Sequence, residues 1–182
     1  KMDEYDMWKD TVVVLTTDHG HLLGEHGFWA KNYMFDYQEL VHIPLMISAP
    51  EVAPRRVDAL TSTIDLMPTL MEVHQAELPP HVHGRSLAHL FTQEGKHHDA
   101  VLYGYFGKDV NMTDGHYTYC RQPLPDSTLY HHTLMPCSFS NFNGRQQLAS
   151  AECGLFLKNT YDIPHLRFEV ASHPHHGAPD FN

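Results

Sequence analysis

The sequence predicts an α/β fold followed by a small subdomain with an antiparallel sheet. Apolar runs with strand character alternate with helical patterns over residues 1–95, an order typical of an α/β layer. Beyond residue 96, short alternating segments surround an Asp-Gly dipeptide, which favours a two-residue hairpin turn. We therefore divide the chain into an α/β part, residues 1–95, and a C-terminal subdomain, residues 96–182.

The first part contains two predicted strands, each near a predicted helix. The opening residues have helical spacing, and "TVVVLTT" is apolar and β-branched, as in a strand buried on both faces. A short helix over "MFDYQELV" precedes a second strand from Leu45 to Ala49, and "STIDLMPTLMEVH" begins with Ser62 and Asp65 in capping-box spacing. The expected apolar face of that helix consists of Leu66, Leu70 and Val73. A loop and a short helix over "ELPPHVHGRSLAHLF" complete this part.

The predicted antiparallel sheet covers residues 96–140. "VNMTDGHYTYC" alternates around Asp114 and Gly115, and "STLYHHTLM" is a further strand candidate in the same sheet. The remaining residues have weak periodicity, so no further element is predicted there.

Composition excludes some classes of function. Twelve basic and twenty-two acidic residues give a net charge of −10, which disfavours a general nucleic-acid binder or a protein of anionic membrane surfaces. No apolar stretch reaches the roughly 18 residues that cross a bilayer. Cys120, Cys137 and Cys153 are too widely spaced for a CxxC metal site and too few for a disulfide framework, so the cellular location stays unknown.

The segment "TTDHGHLLGEHGFWAK" follows the first predicted strand and concentrates ionisable groups. In α/β sheets, ligands bind beyond the carboxyl ends of the strands, where Asp18 and His19 lie. A carboxylate and an imidazole can share one divalent cation, although at least two further ligands are needed. Two simpler interpretations remain open: Asp18 caps a turn beside an ordinary His19, and Lys31 is a solvated side chain.

A zinc-peptidase interpretation of the same segment is disfavoured. The spacing of His21, Glu25 and His26 is HxxxEH, which is neither HExxH nor HxxEH, and Gly24 disfavours the helix that those motifs need. We expect Glu25 and His26 to form hydrogen bonds that orient Asp18 and His19, while the roles of these loop residues stay open.

Other polar motifs are expected to be surface features. The chain has 17 His, and those at 81–83, 97–98, 131–132 and 173–176 are predicted to be solvated. Asn111 begins an N-glycosylation sequon, a pattern that is frequent by chance.

Several segments together resemble a known family. "DTVVVLTTDHGHLLGEHGFWAK" resembles the C-terminal half of the sulfatases, in the alkaline-phosphatase-like superfamily, and "IPLMISAP", "STIDLMPTLMEV" and "HGRSLAHLF" are similar to later family landmarks in the same order. The resemblance covers about residues 3–92 well and "YGYFGKDVNMTDGHYTYCR" more loosely.

The resemblance implies an enzyme that hydrolyses sulfate esters with a formylglycine nucleophile and one divalent cation, usually calcium, with manganese also compatible. Asp18 and His19 match two metal ligands of the family, and Lys31 matches the lysine that binds the sulfate and supports the leaving oxygen. A sulfated small molecule or glycan is the implied substrate, and no nucleic acid or membrane is expected as a partner.

One departure from the family pattern limits this expectation. The nucleophile motif Cys/Ser-x-Pro-x-Arg does not occur in the sequence, and the first pair of metal-binding carboxylates has no counterpart before "TVVVLTT". We therefore expect a C-terminal portion of a longer sulfatase, inactive and weakly calcium-binding when isolated, which self-associates through an exposed apolar sheet edge.

Two alternatives stay open at this point. A phosphonate monoester or phosphodiester hydrolase of the same superfamily would use the same Asp, His and Lys side chains for phosphoryl chemistry. A non-catalytic metal-binding or assembly module would instead account for the many histidines and the missing nucleophile.

Overall fold

The computed structural model describes residues 1–31, 34–124, 127–135, 144–158 and 161–170. Within these ranges, short α-helices and 3-10 turns connect four antiparallel sheets of two or three strands each. None of the described helices has the length and apolar character needed to span a membrane.

The first part of the chain contains the following elements in order: β1 (Val13–Thr16), β2 (Leu22–Leu23), β3 (Trp29–Ala30), α1 (Gln38–Val41), β4 (Leu45–Ser48) and α2 (Leu66–Val73). Strand β1 pairs antiparallel with β4, and β2 pairs antiparallel with β3. Both predicted strands are confirmed, although β4 ends one residue before Ala49.

Two expectations for this part are wrong. The opening segment forms only a 3-10 turn, Met7–Lys9, because most of its side chains are exposed and no apolar face is buried to hold a longer helix. Strand β1 is not buried on both faces, since Leu15 is 53% exposed and its partner Met46 is 58% exposed. The β1–β4 pair therefore presents apolar side chains that no described residue covers.

The capping box before α2 is confirmed, and the predicted apolar face of this helix is wrong at Leu70, whereas Leu66 and Val73 are half-buried. Ser62 and Asp65 cap a 3-10 turn that continues into α2. The buried residues of α2 are Pro68 and Thr69, whereas Leu70 is 43% exposed. Thr69 Oγ1 donates to the Asp65 carbonyl at 2.6 Å and accepts the Leu87 amide at 2.8 Å, so hydrogen bonds rather than leucines hold this face.

The segment that packs against α2 passes very close to the capping turn. A Cβ atom added at Gly84 would lie 2.0 Å from the Ile64 carbonyl oxygen, well inside contact distance. One residue later, the Arg85 amide donates to Asp65 Oδ1 at 2.9 Å. Glycine is therefore required at position 84 by close approach of two backbones.

The C-terminal part contains β5 (Val101–Gly104), β6 (Val110–Thr113), β7 (Thr118–Arg121), β8 (Leu129–Thr133), α3 (Arg145–Ala149), β9 (Glu152–Gly154) and β10 (His165–Val170). The hairpin at Asp114 and Gly115 is confirmed between β6 and β7, with Gly115 at a φ of 92°. The Asp114 carboxylate accepts the amides of His116 and Tyr117, which fixes the turn.

The sheet assignment beyond this hairpin needs a correction. Strand β8 does not join β5–β6–β7; it pairs with β10 in a separate sheet of order β8–β10–β9. The stacking of His131 on Phe168, with ring centroids 5.2 Å apart, and the 3.2 Å contact between His132 Nδ1 and His165 Nε2 connect β8 to β10. These two histidines are therefore sheet-packing residues, contrary to the surface expectation, while the predicted His173–His176 surface cluster lies outside the described residues.

A polar cluster joins the segment before α1 to the β5–β6–β7 sheet. The Asn111 side-chain amide donates to Asp36 Oδ2 at 3.0 Å and to Asp109 Oδ2 at 3.2 Å. Cys120 Sγ also donates to Asp109, and burial together with that carboxylate raises the pKa of its thiol to about 12. Asn111 is only 3% exposed, so the sequon at this position is part of a buried cluster.

Replacing Gly84 with alanine tests the close backbone approach. We expect Gly84→Ala to lower the free energy of unfolding by about 2 kcal/mol, because the methyl group would overlap the Ile64 carbonyl. Gly95→Ala is the matched control, since a Cβ there meets no atom within 4 Å. Chemical denaturation of both variants gives the measurement, and equal stabilities would contradict the assignment.

The Asp36 cluster predicts a pH dependence of stability. Burial, and secondly repulsion from Asp109, raise the pKa of Asp36 to about 6. The folded chain then holds a proton that the unfolded chain releases, so the free energy of unfolding falls as pH rises from about 4 to about 6. After allowance for solvent screening, we expect a loss of about 1 kcal/mol from this group.

Asp36→Asn should remove this loss, because its amide oxygen still accepts from Asn111 but does not titrate. The difference in unfolding free energy between this variant and the parent chain, measured by denaturation from pH 4 to pH 7, should grow with pH. Asp58→Asn is the control, because Asp58 is fully on the surface beside Arg56. A constant difference across the range would rule out the raised pKa.

Candidate functional site

Asp18 and His19 begin the loop after strand β1. The two oxygens of the Asp18 carboxylate have different contacts. Oδ1 accepts a hydrogen bond from the His19 backbone amide at 3.0 Å, and Oδ2 lies 3.2 Å from His19 Nε2. Thr17 Oγ1 contacts both the Asp18 carboxylate and the His19 carbonyl. One oxygen thus shapes the turn, while the other is presented beside the imidazole.

The tautomer of His19 follows from its contact with the backbone. Nδ1 lies 2.8 Å from the Gly20 carbonyl oxygen, which can only accept, so Nδ1 carries the proton. Nε2 then keeps a lone pair and lies 3.2 Å from Asp18 Oδ2. Histidines that bind metals in proteins are held in the same way, through the ring nitrogen opposite the ligand atom.

Lys31 is the third member of the site. It follows β3, and Ala30 before it has a φ of 78°, an unusual left-handed conformation for a residue other than glycine. The Lys31 ammonium donates to His19 Nε2. The structure therefore places Asp18, His19 and Lys31 together, across 13 positions of sequence from Asp18 to Lys31.

The electrostatics of the site favour a charged Asp18. Desolvation acts to raise its pKa, but the neighbouring His19, its backbone amide and the Lys31 ammonium together hold the pKa below its usual value. The Asp18 side chain is 81% exposed and the His19 side chain 36%. An ionised, solvent-facing carboxylate beside an imidazole lone pair suits a hydrated cation.

A close contact with helix α1 holds the loop that carries these side chains. The Gly20 amide donates to the Leu40 carbonyl at 2.8 Å, and a Cβ atom at Gly20 would lie 1.6 Å from the Glu39 carbonyl oxygen. Behind this contact lies the main apolar core, formed by Leu22, Met34, Phe35, Tyr37 and Leu40. The loop that carries the site is therefore held next to the buried apolar cluster of the described chain.

Comparison with known proteins identifies the family. The family described as N-sulphoglucosamine sulphohydrolase, C-terminal, matches residues 24–123, more than half of the chain. This chain belongs to the sulfatase family. The match covers Lys31, α1, β4 and α2, so the sulfatase resemblance of these segments is confirmed, and it corresponds to the C-terminal portion of the family.

Similar proteins agree with this assignment. An arylsulfatase K from Xenopus laevis is 27% identical over an alignment of 178 residues, and the alignment covers 88% of this chain and 33% of that protein. An N-acetylglucosamine-6-O-sulfatase from Bacteroides thetaiotaomicron is 35% identical over 98 residues, 53% of this chain and 17% of that protein. The chain thus spans a third or less of the length of these curated relatives.

A solved structure supports the fold. The phosphonate monoester hydrolase SpPMH from Silicibacter pomeroyi matches 66% of this chain and 28% of its own length, with a TM-score of 0.60 and 28% identity. The sulfatase chain therefore has the part of the alkaline-phosphatase-like fold that was expected from its sequence, with small antiparallel sheets.

The remaining loop residues do not orient the site as expected. Glu25 accepts the Leu23 amide, and this backbone contact lies within the loop, away from Asp18. His26 stacks on Tyr37 with ring centroids 3.8 Å apart, and its Nε2 lies 3.4 Å from Glu39. Glu25 therefore shapes the loop and His26 packs it against the segment of α1, while His21 is exposed on its surface.

The sequence analysis missed one polar cluster in this sulfatase chain. Asp65, His97 and His98 bring potential ligand atoms within 4.8 Å of one another. His97 and His98 were expected on the surface, but His97 is 6% exposed, so that expectation is wrong. The separation of 32 residues between Asp65 and His97 leaves no local pattern that could have revealed it.

Proposed function

We propose that this chain supplies the C-terminal half of a sulfatase active site, in a protein that hydrolyses sulfate esters of a small molecule or glycan. The arrangement of Asp18, His19 and Lys31 around one point of the loop carries the proposal. In this account the formylglycine nucleophile and further metal ligands lie in a part of the protein outside the present sequence.

The donor set fits one divalent cation, with calcium as the proposed metal. Asp18 Oδ2 and His19 Nε2 are 3.2 Å apart, close to the roughly 3.4 Å between neighbouring ligands of an ion with bonds of about 2.4 Å. The carboxylate suits calcium, and the imidazole also suits manganese. When bound, the cation supplies positive charge that holds the nucleophile and the substrate sulfate together.

Lys31 is proposed to bind the sulfate and support the leaving oxygen. Its ammonium now donates to His19 Nε2, and this lone pair cannot serve an ammonium and a metal ion together. Lys31 gives up this contact when the ring nitrogen is a metal ligand, and its ammonium then faces the substrate anion. A fixed cation beside a developing negative charge stabilises the transition state most where water is excluded.

A phosphonate monoester hydrolase is the second candidate, because one such enzyme is a structural relative of this chain. Its reaction also develops negative charge on an oxygen of a tetrahedral anion, so Asp18, His19 and Lys31 would take the same roles. Rates of the full-length protein on an aryl sulfate and on a phenylphosphonate separate the candidates. A higher kcat/KM on the sulfate supports the first proposal, and the reverse supports the second.

Substitution of Lys31 tests its role in the full-length protein. We expect Lys31→Ala to lower kcat/KM for an aryl sulfate by about 100-fold, because it removes one fixed cation from the transition state. The isolated chain should give no turnover at all.

The controls separate this effect from a loss of folding. Lys9→Ala removes an exposed lysine paired with Asp6 and should leave kcat/KM unchanged. Lys31→Arg keeps the charge with another geometry and should fall between the two. Parent-like kcat/KM in Lys31→Ala, or turnover by the isolated chain, would refute the proposal.

The exposed apolar side chains of the β1–β4 pair lead us to propose self-association of the isolated chain. Leu15 and Met46 are both more than half exposed on neighbouring strands, and each strand has one edge without a partner in the described chain. We expect oligomers in light scattering at micromolar concentration, reduced in Leu15→Lys. Thr16→Lys, at an exposed position next to it, is the matched control. A monodisperse monomer for the parent chain would contradict this expectation.

A further inference from the structure

A buried cluster of two histidines and one aspartate lies beside the capping turn of α2. The Asp65 carboxylate is 0% exposed, and the side chains of His97 and His98 are 2% and 15% exposed. Asp65 Oδ2 lies 2.8 Å from His98 Nε2 and 3.3 Å from His97 Nε2. Three potential ligand atoms, from three side chains, thus converge on one small volume.

The His97 ring shows that hydrogen bonding inside the cluster is incomplete. Its Nε2 is buried and has no hydrogen-bond partner among the described residues, although Asp65 Oδ2 is 3.3 Å away. A buried, unsatisfied ring nitrogen is costly, and it is explained if a ligand binds there.

We propose that Asp65, His97 and His98 form a binding site for a divalent transition metal of the zinc class. Ligand atoms of a tetrahedral site with bonds of about 2.05 Å lie about 3.3 Å apart, so the distances from Asp65 Oδ2 need little adjustment. Two imidazoles and one carboxylate suit zinc, whereas calcium requires six to eight oxygens. These residues differ from Asp18 and His19, so the site stands apart from the proposed sulfatase function.

Asp65 is already held in the orientation that a ligand needs. Its Oδ1 accepts the Arg85 amide at 2.9 Å, and its Oδ2 accepts the Ser62 amide at 2.8 Å. Two backbone amides therefore anchor the carboxylate before any cation arrives.

The Arg85 guanidinium competes with metal binding at this cluster. Its Nη2 donates to the His97 carbonyl and lies 2.7 Å from His98 Nδ1. Arginine only donates, so His98 carries its proton on Nε2 in this state, and this N–H donates a hydrogen bond to Asp65 Oδ2. Metal binding through His98 Nε2 requires the proton to move to Nδ1 and the guanidinium to withdraw. The account thus predicts that Arg85 and the metal compete.

Cobalt provides the test, because four-coordinate Co²⁺ has visible absorption bands that hydrated Co²⁺ shows only weakly. Metal-free chain is titrated with Co²⁺, and the bound Co²⁺ is then displaced with Zn²⁺. We expect one equivalent to bind with a tetrahedral band, and His97→Ala and His98→Ala each to weaken binding by about 100-fold. Arg85→Met should tighten binding by about tenfold, since the competing cation is removed.

Matched controls test whether a loss of Co²⁺ binding reflects the loss of a ligand, and not another histidine or unfolding of the variant. His74→Ala removes an exposed histidine at the end of α2, and Asp18→Asn alters the proposed sulfatase site; both should leave the Co²⁺ band unchanged. Circular dichroism checks the fold of each variant. If His97→Ala does not fold, imidazole NMR signals of the parent chain replace it, and Zn²⁺ should shift His97 and His98 first.

Three results would overturn the proposal. The first is a parent chain without a tetrahedral Co²⁺ band, and the second is a band that persists in His97→Ala. The third is an NMR response to Zn²⁺ at surface histidines while His97 and His98 stay unchanged. Weaker binding in Arg85→Met would refute the predicted competition.

Discussion

The contact between Gly20 and the backbone at Glu39 and Leu40 is the constraint on which the site depends. It holds the loop after β1 against α1 at a distance where only glycine fits, with one amide-to-carbonyl hydrogen bond across it. Residues of the main apolar core lie on both sides of this contact: Leu22 follows the loop, and Leu40 belongs to α1. Burial of the apolar core residues therefore fixes the position of the loop, although the polar side chains of the loop are not part of that core.

Two carboxylates of this chain use their oxygens in similar ways but in different surroundings. Asp18 and Asp65 each bind a backbone amide with Oδ1 and place Oδ2 next to an imidazole Nε2. The Asp18 side chain is 81% exposed, whereas that of Asp65 is fully buried. A hydrated, hard cation suits the first setting, and a dehydrated cation with nitrogen ligands suits the second, so exposure and the second imidazole separate the two proposals.

Sequence reasoning succeeded where the signal is local. The strand runs, the Ser62–Asp65 capping box and the Asp114–Gly115 hairpin depend on spacing of a few residues, and the structure contains all of them. The grouping of Lys31 with Asp18 and His19 was expected from the sulfatase resemblance, because spacing alone left Lys31 a solvated side chain. A loop that folds back on itself has no periodicity from which that contact could be derived.

The failures concern contacts between distant parts of the chain. The most buried side of α2 is set by the Thr69 hydrogen bonds to Asp65 and Leu87, which the apolar periodicity of Leu66, Leu70 and Val73 does not reveal. His97 looked like a surface residue because its burial depends on a segment more than 30 positions away. Asn111 likewise fits a sequon, and only the structure shows that its amide joins the half-buried Asp36 to the buried Asp109.

Paramagnetic NMR tests the central claim, that Asp18, His19 and Lys31 form a cation site, most directly. Substoichiometric Mn²⁺ broadens signals close to even a weakly bound ion, and Ca²⁺ should displace it from a site with an exposed carboxylate. The account predicts that signals of His19 and Lys31 broaden first in the isolated chain and recover on addition of Ca²⁺. Unchanged His19 and Lys31 signals, with broadening confined to other parts of the chain, would contradict it.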